Sequence, residues 1–404
     1  MEWIPTRAAG LARLAAFLPD AGRAYAERRN LDLGPQDRSN VSALSPWLRR
    51  RLITEEEVVA AVLSRHSAAA AEKFIQEVAW RTYWKGWLQL RPEQLERFNA
   101  EQGALKAELD RNGHLSRRYQ RATAGATGIA CFDAWVAELR DLGWLHNHAR
   151  MWFASIWIFT LGLPWQLGAD FFYQHLLDAD PASNTLSWRW VAGLHTPGKH
   201  YLARAENIDR NTAGRFAPYG QLNESAQALD EAPPALPVTP LSLAERQPVG
   251  PYALLLTEED LHPESWALAG EVRAIAILPS ATVAAPGSPA ARFSEGALDD
   301  AATRATMHFG VPCSMVAAED LPAWLNGQGL SVVVTSQAPV GMIAAQLRAV
   351  EARLTVKGAR LIQLRRPWDE LLWPRATAGF FKLKTRLPEV IDVLGLDPGA
   401  PRLL

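Results

Sequence analysis

Three short stretches concentrate side chains that can carry charge, hydrogen bonds or electrons. They are Trp144-Leu145-His146-Asn147-His148-Ala149-Arg150-Met151, the run from Asp178 to Trp190, and Gln76 to Trp84. On a helix, Asn147 and Arg150 share a face, as do Glu77 and Trp80. The middle stretch brings two carboxylates (Asp178, Asp180), an amide (Asn184) and two indoles (Trp188, Trp190) close together. Indoles offer stacking faces or stations for an electron. Each residue also has a structural explanation: Arg150–Asp178 as an ion pair, Trp188 and Trp190 as core, Glu77 as a solvated helix residue. The chain holds 16 tryptophans, most before residue 220. A large core, a stacking surface and electron transfer all remain open on that count.

These residues need elements to hold them. Residues 3–220 read as mostly helix. Leu11, Leu14, Ala15 and Leu18 have helical spacing, and Thr54 with three following glutamates marks a helix start over Ile53–Ser64. Glu72–Leu90, Ala134–Leu142 and Asn147–Leu161 continue the pattern. Residues 221–250 include Asp230-Glu231-Ala232-Pro233-Pro234-Ala235-Leu236-Pro237 and read as an exposed, semi-rigid linker. Residues 251–404 alternate: short apolar runs at Tyr252–Leu256, Ala274–Leu278, Ser314–Ala317, Ser331–Thr335 and Leu361–Leu364 predict strands. Ser294–Phe309, Leu321–Asn326 and Val340–Val356 predict helices between them. The predicted fold is multi-domain: an all-α region over 1–220, a Pro-rich linker over 221–250, and a parallel-sheet, Rossmann-like α/β region over 251–404. Gly287, Gly296 and Gly310 read as turn residues, and no phosphate-loop motif accompanies them.

Composition narrows the classes. The net charge of −1 divides into a mildly basic first half and a mildly acidic second half, too little to argue for a polyanionic partner. The two cysteines, Cys131 and Cys313, exclude a disulfide framework and a cysteine-based metal site, and read as two buried thiols. No metal is expected. No apolar run has membrane-spanning length and the N-terminus lacks a signal-peptide pattern, so a cytoplasmic protein is the expectation; a monomer is expected as well.

Taken together the motifs resemble the DNA photolyase/cryptochrome family. Thr127-Gly128 through Asp133-Ala134 to Trp144-Leu-His-Asn-His-Ala-Arg150-Met151 is similar to that family's TG-x-x-x-x-DA and G-[WF]-[MLI]-H-N-x-x-R-M. Asp178-x-Asp180-x-x-x-Asn184-x-x-x-Trp188-x-Trp190 resembles DGD-x-x-x-N-x-x-x-W-x-W. Glu77-x-x-Trp80-Arg81 resembles E-L-x-W-R-E-[FY]. Tyr25-x-x-x-Arg29-Asn30 and Val41-Ser42-Ala43-Leu44-Ser45-Pro46-Trp47-Leu48 resemble Y-x-x-x-R-[DN] and TSRLSPYL. The matches run in the family's order from residue 3 to about 218.

The resemblance implies FAD in the helical region. It implies cofactor contacts from Tyr25, Val41, Ser42, Ala43, Leu44, Ser45, Phe74, Arg81, Arg150, Asp178, Ala179, Asp180 and Asn184. Arg150 with Asp178 would flank the flavin, Asp180 would accept from N3–H, and Asn184 would face N5. It implies light-dependent repair of cyclobutane pyrimidine dimers in damaged DNA, a lyase reaction, with Glu77, Asn147, Trp80 and Trp190 around the dimer. Arg29, Arg81 and Trp84 would join them in binding DNA. The alternative is a blue-light receptor without repair. Trp188 and Trp165 match two stations for electron transfer. Asn112 stands at the third, where Trp135, Trp157 or Tyr119 could substitute. Asn147 and Met151 stand where repair of the other dimer type uses histidines, while His148 reads as a satisfied polar residue.

The sequence departs from the pattern at Val41, Ala43, Thr82, Ala126 and Ala179, and in the loop Gly193–Arg204. The order of regions departs more. Family members begin with an α/β domain that can hold an antenna pigment, whereas here the α/β region comes last. Phe380-Phe381-Lys382-Leu383-Lys384 resembles the segment that ends that domain. Any second chromophore is left unassigned, and scaffolding is the expected role of this half.

Overall fold

The computed structural model describes residues 2–231, 236–281 and 283–398. Up to residue 231 the described residues form helices and no strand. These are α1 (Arg7–Phe17), α2 (Arg23–Arg28), α3 (Ser45–Arg49), α4 (Glu55–Leu63), α5 (Ala68–Gln89), α6 (Glu93–Arg111), α7 (Gly113–Thr123), α8 (Ala130–Leu142), α9 (Asn147–Ser155), α10 (Trp165–His175), α11 (Pro181–Ala192) and α12 (Ala205–Asn211). Local chemistry sets several starts. The Thr54 hydroxyl accepts from Glu57 N–H while the Glu57 carboxylate accepts from Thr54 N–H, closing a capping box on α4. Asp180 caps α11 by accepting from Ser183 N–H at 2.6 Å, with Pro181 at the first helical position. Residues 156–160 continue α9 as a wider π turn.

The chain then forms a five-stranded parallel sheet, ordered β3-β2-β1-β4-β5: β1 (Pro251–Leu256), β2 (Glu271–Ile277), β3 (Cys313–Met315), β4 (Val332–Ser336) and β5 (Arg360–Leu364). All five predicted strands appear. The helices α13 (Pro289–Phe309), α14 (Leu321–Gly327) and α15 (Met342–Val356) connect β2 to β3, β3 to β4 and β4 to β5, as parallel strands need crossover connections. Three short helices end the chain: α16 (Pro367–Leu372), α17 (Phe380–Lys384) and α18 (Leu387–Val393). Part of the Pro-rich stretch, residues 232–235, lies outside the described residues.

Two sequence expectations are corrected here. Gly287 and Gly310 do turn with positive φ, but Gly296 lies inside α13, where a Cβ would stand 2.5 Å from Pro5 Cγ. Cys131 is buried, whereas Cys313 is only half-buried.

The strand order reverses direction between β1 and β4, where α/β sheets usually open a ligand crevice at the carboxyl ends of the strands. Here that end of β1 runs into Glu258-Glu259-Asp260, all buried against the helical half. Arg49 forks onto Glu259 with two 2.8 Å bonds, Arg50 lies 3.9 Å from Glu258, and Arg51 lies 3.6 Å from Asp260 and 2.6 Å from Asp369. Arg366 closes a further pair on Asp260. The long α5 is covered on several sides: Trp368 Nε1 donates to Thr82 Oγ1 at 2.8 Å, and a Cβ on Gly86 would stand 2.9 Å from the Trp373 backbone. Thr82 thus holds an indole of the last segment. No helix among the described residues is long and apolar enough to cross a membrane.

Candidate functional site

The turn before α11, the start of α9 and the middle of α5 bring the sequence-picked charges together. Arg150 Nη2 donates to Asp178 Oδ2 at 3.0 Å, while its Nε donates to the Leu145 carbonyl at 3.0 Å. Arg81 bridges the two aspartates, 3.8 Å from Asp178 and 3.9 Å from Asp180. Lys85 Nζ lies 3.6 Å from both Asp180 and Glu259, and Arg49 lies 3.9 Å from Asp180. Lys85, Arg49 and Glu259 were not picked from the sequence. Arg49 and Glu259 are 210 residues apart and leave no local signal.

Both aspartates are buried, which alone would raise their pKa. The cations outweigh burial: Arg150 and Arg81 hold Asp178 below the usual carboxylate range, and Lys85, Arg49 and Arg81 bring Asp180 to about 2. Both stay ionised at neutral pH. Asn184 sits one turn into α11, its amide donating to the Ala169 carbonyl at 2.7 Å.

The fit of a flavin dinucleotide can be tested on these atoms. Asp178 Oδ1, Arg81 Nη1 and Ser183 Oγ are buried with no hydrogen-bond partner. An acceptor, a donor and a hydroxyl left open in one charged cluster suit the mixed edge of a flavin ring. The space beside them is partly taken by Arg49, Lys85 and Glu259. The two described clefts, of about 430 and 380 Å³, lie along α8 and do not include the cluster. In segment 41–45, also expected to contact the cofactor, Arg13 bonds the Val41 and Ser42 carbonyls at 2.6 and 2.7 Å. There Ala43 adopts φ 52°, and Ser45 accepts from Trp144 Nε1 at 3.0 Å. Leu44 is core, while Tyr25 meets Phe74 edge-on at 5.2 Å. Ala179 contributes its carbonyl to Arg49 Nε at 2.6 Å. The residues fit the ring end of the cofactor; the segment 41–45 is already engaged by the protein. Among the described residues no cluster suits a metal ion.

The residues picked for DNA are less open. Glu77 pairs with Arg29, yet burial outweighs that pair and raises its pKa. Phe380 of α17 stacks face to face on Trp80, with centroids 3.8 Å apart and planes 14° apart. Trp84 is buried against His195, ring centroids 4.8 Å apart. Asn147 is exposed at the start of α9, its amide 4.0 Å from Met151 Sδ. Trp190 is half-buried and stacks on Tyr201 at 5.9 Å. Expected to be satisfied, His148 instead leaves its Nδ1 without a partner, and burial lowers its pKa to about 4.

The ring contacts run in an order that the family resemblance did not give. Trp188 meets Trp157 edge to face at 6.2 Å, and Trp157 meets Tyr119 at 6.0 Å. Both indoles are fully buried and Tyr119 is half-buried. Trp165 instead stacks on Phe98 at 5.4 Å and donates to Glu231 at 3.3 Å. Gly168 makes the Trp188 contact possible: a Cβ there would stand 2.3 Å from Trp188 Cη2. Trp135 stacks on Trp152 at 5.6 Å and meets Phe216 at 5.9 Å.

Residues 74–220 match the family model described as the FAD binding domain of DNA photolyase. The positions 25 and 41–45 lie ahead of that match. The chain is 34% identical over 195 residues to a deoxyribodipyrimidine photo-lyase of Agrobacterium fabrum, covering 47% of this chain and 39% of that one. It is 25% identical over 213 residues to a cryptochrome DASH of Idiomarina loihiensis, covering 52% and 45%. The match thus spans less than half the length of either relative. Among solved structures, a class III photolyase from Agrobacterium tumefaciens is 29% identical with a TM-score of 0.43, over 52% of this chain and 43% of that one. Over residues 74–220 the chain is thus similar to the FAD binding domain of DNA photolyase, the region in which most of its motifs lie.

Proposed function

We propose that the helical half holds FAD against Arg150, Asp178, Asp180 and Asn184, and that the chain repairs cyclobutane pyrimidine dimers in DNA under blue light. The observation that carries the cofactor is the trio of buried atoms without a hydrogen-bond partner on Asp178, Arg81 and Ser183, in a segment matched by a FAD-binding family model. FAD would supply light absorption and single-electron transfer. The protein's part is to fix charge around it. Arg150 and Arg81 keep Asp178 ionised as an acceptor, and Asn184 is held by its bond to Ala169.

For electron supply the ring contacts support Trp188, Trp157 and Tyr119, in that order outward, in place of Trp165. Tyr119→Phe is expected to lower the yield of flavin photoreduction by an external thiol, and Trp165→Phe to leave it near wild type. The reverse ranking, read by absorbance under blue light, rejects this path.

For the substrate, the raised pKa of Glu77 suits a group that shares a proton with a base. One observation favours a second reading, a light receptor: Phe380 covers the Trp80 face on which a base would stack. A blue-light assay on UV-treated oligonucleotide separates the two. Repair by wild type that is lost in Glu77→Ala supports the lyase. A yellow protein that photoreduces and clears no dimers supports the receptor. Equal repair by both proteins rejects the role given to Glu77.

A further inference from the structure

We propose that α17 is an internal competitor for the stacking face of Trp80, so that Phe380 must leave before an unstacked pyrimidine base can dock. This deepens the substrate side of the proposed function and rests on that reading of Trp80. The geometry is specific. The Phe380 ring lies 3.8 Å from the Trp80 ring at 14°, the near-parallel arrangement that a base takes on an indole. The other neighbours of Trp80 do not offer that arrangement: Tyr83 meets it edge-on at 84° and Trp84 is tilted by 34°. A phenyl ring therefore fills one base's worth of stacking space.

The attachment of α17 differs from that of its neighbour. α16 is fixed by buried polar contacts, Arg51 to Asp369 and Trp368 to Thr82. α17 has only five residues and follows Gly379, an exposed glycine with open space around its Cβ position. Its apolar anchors are Phe380 and Leu383, while Phe381 points to solvent at 73% exposure. Its charged tie is the surface pair Lys384–Glu72 at 2.8 Å, weak in water and open to exchange with a phosphate. Lys382 is exposed on the same helix. A single-stranded pyrimidine tract offers both replacements at once, a base for Phe380 and phosphates for Lys382 and Lys384.

The test measures anisotropy of a labelled oligothymidylate against the full-length protein in the dark at one fixed salt concentration. It reads neither colour nor repair, so it fails separately from the flavin assignment. Phe380→Ala is expected to bind about tenfold tighter than wild type, a shift of about 1.4 kcal/mol. Phe380→Leu, which keeps apolar volume and loses the stack, should gain less. The double variant Trp80→Leu/Phe380→Ala should lose the gain. No gain in a folded Phe380 variant overturns the proposal; if Phe380→Ala does not fold, Phe380→Leu decides. A gain that survives in the double variant also overturns it, because the strand would then be binding elsewhere.

Discussion

The helical half and the α/β half both bury acidic residues among cations, and they use them differently. At the end of β1, each of Glu258, Glu259 and Asp260 lies within 4 Å of a guanidinium among Arg49, Arg50, Arg51 and Arg366, with Arg49–Glu259 and Arg366–Asp260 in direct hydrogen-bonded pairs. At the turn before α11, Asp178 Oδ1, Arg81 Nη1 and Ser183 Oγ have no hydrogen-bond partner. Carboxylates paired in this way behave as a fastener, because removing either partner strands a charge. An unsaturated cluster costs stability unless something else completes it. The crevice that a parallel sheet usually offers to a ligand is spent here on holding the two halves together.

The comparison predicts a ranking of damage. Glu259→Ala leaves Arg49 and Lys85 buried beside each other and should cost about 3–5 kcal/mol in urea unfolding. Asp178→Asn, which alters a cluster already missing partners, should cost less, about 1–3 kcal/mol. If the two rank the other way, the division into fastener and ligand site fails.

A third test uses pH. His146, His148 and His195 in the helical half, and His262 beside the fastener, have pKa values lowered by burial from 6.5 to about 4. The folded protein therefore binds fewer protons than the unfolded chain in that window. Stability should be intact above about pH 6.5 and fall as pH drops toward 4, by up to about 1.4 kcal/mol per unit for each histidine. His195→Gln should flatten the slope of the urea midpoint against pH. An unchanged slope removes His195 from this account.

Much of this was legible in the chain and some was not, for physical reasons. The capping box at Thr54 and Glu57 and the five strands are local patterns, written in neighbouring residues. The Arg150–Asp178 pair was legible because both ends sit in recognisable motifs. The Arg49–Glu259 fork was not, because a charge pair between remote segments leaves no periodicity. Phe380 over Trp80 was hidden for the same reason, although both residues had been noticed separately. The family resemblance matched Trp165 as the station after Trp188. Packing favours Trp157, because α10 narrows at Gly168 and admits the Trp188 ring there. Motif spacing places a residue on an element, and only packing decides which ring it meets.

The central claim is that the atoms left open on Asp178, Arg81 and Ser183 are completed by FAD. The most direct measurement is the flavin absorbance and bound FAD stoichiometry of purified protein, after reconstitution with FAD, for wild type beside Asp178→Ala. The account predicts a yellow wild type near one FAD per chain and a variant that has lost most of it while remaining folded. A folded wild type that stays colourless and takes up no FAD would contradict it.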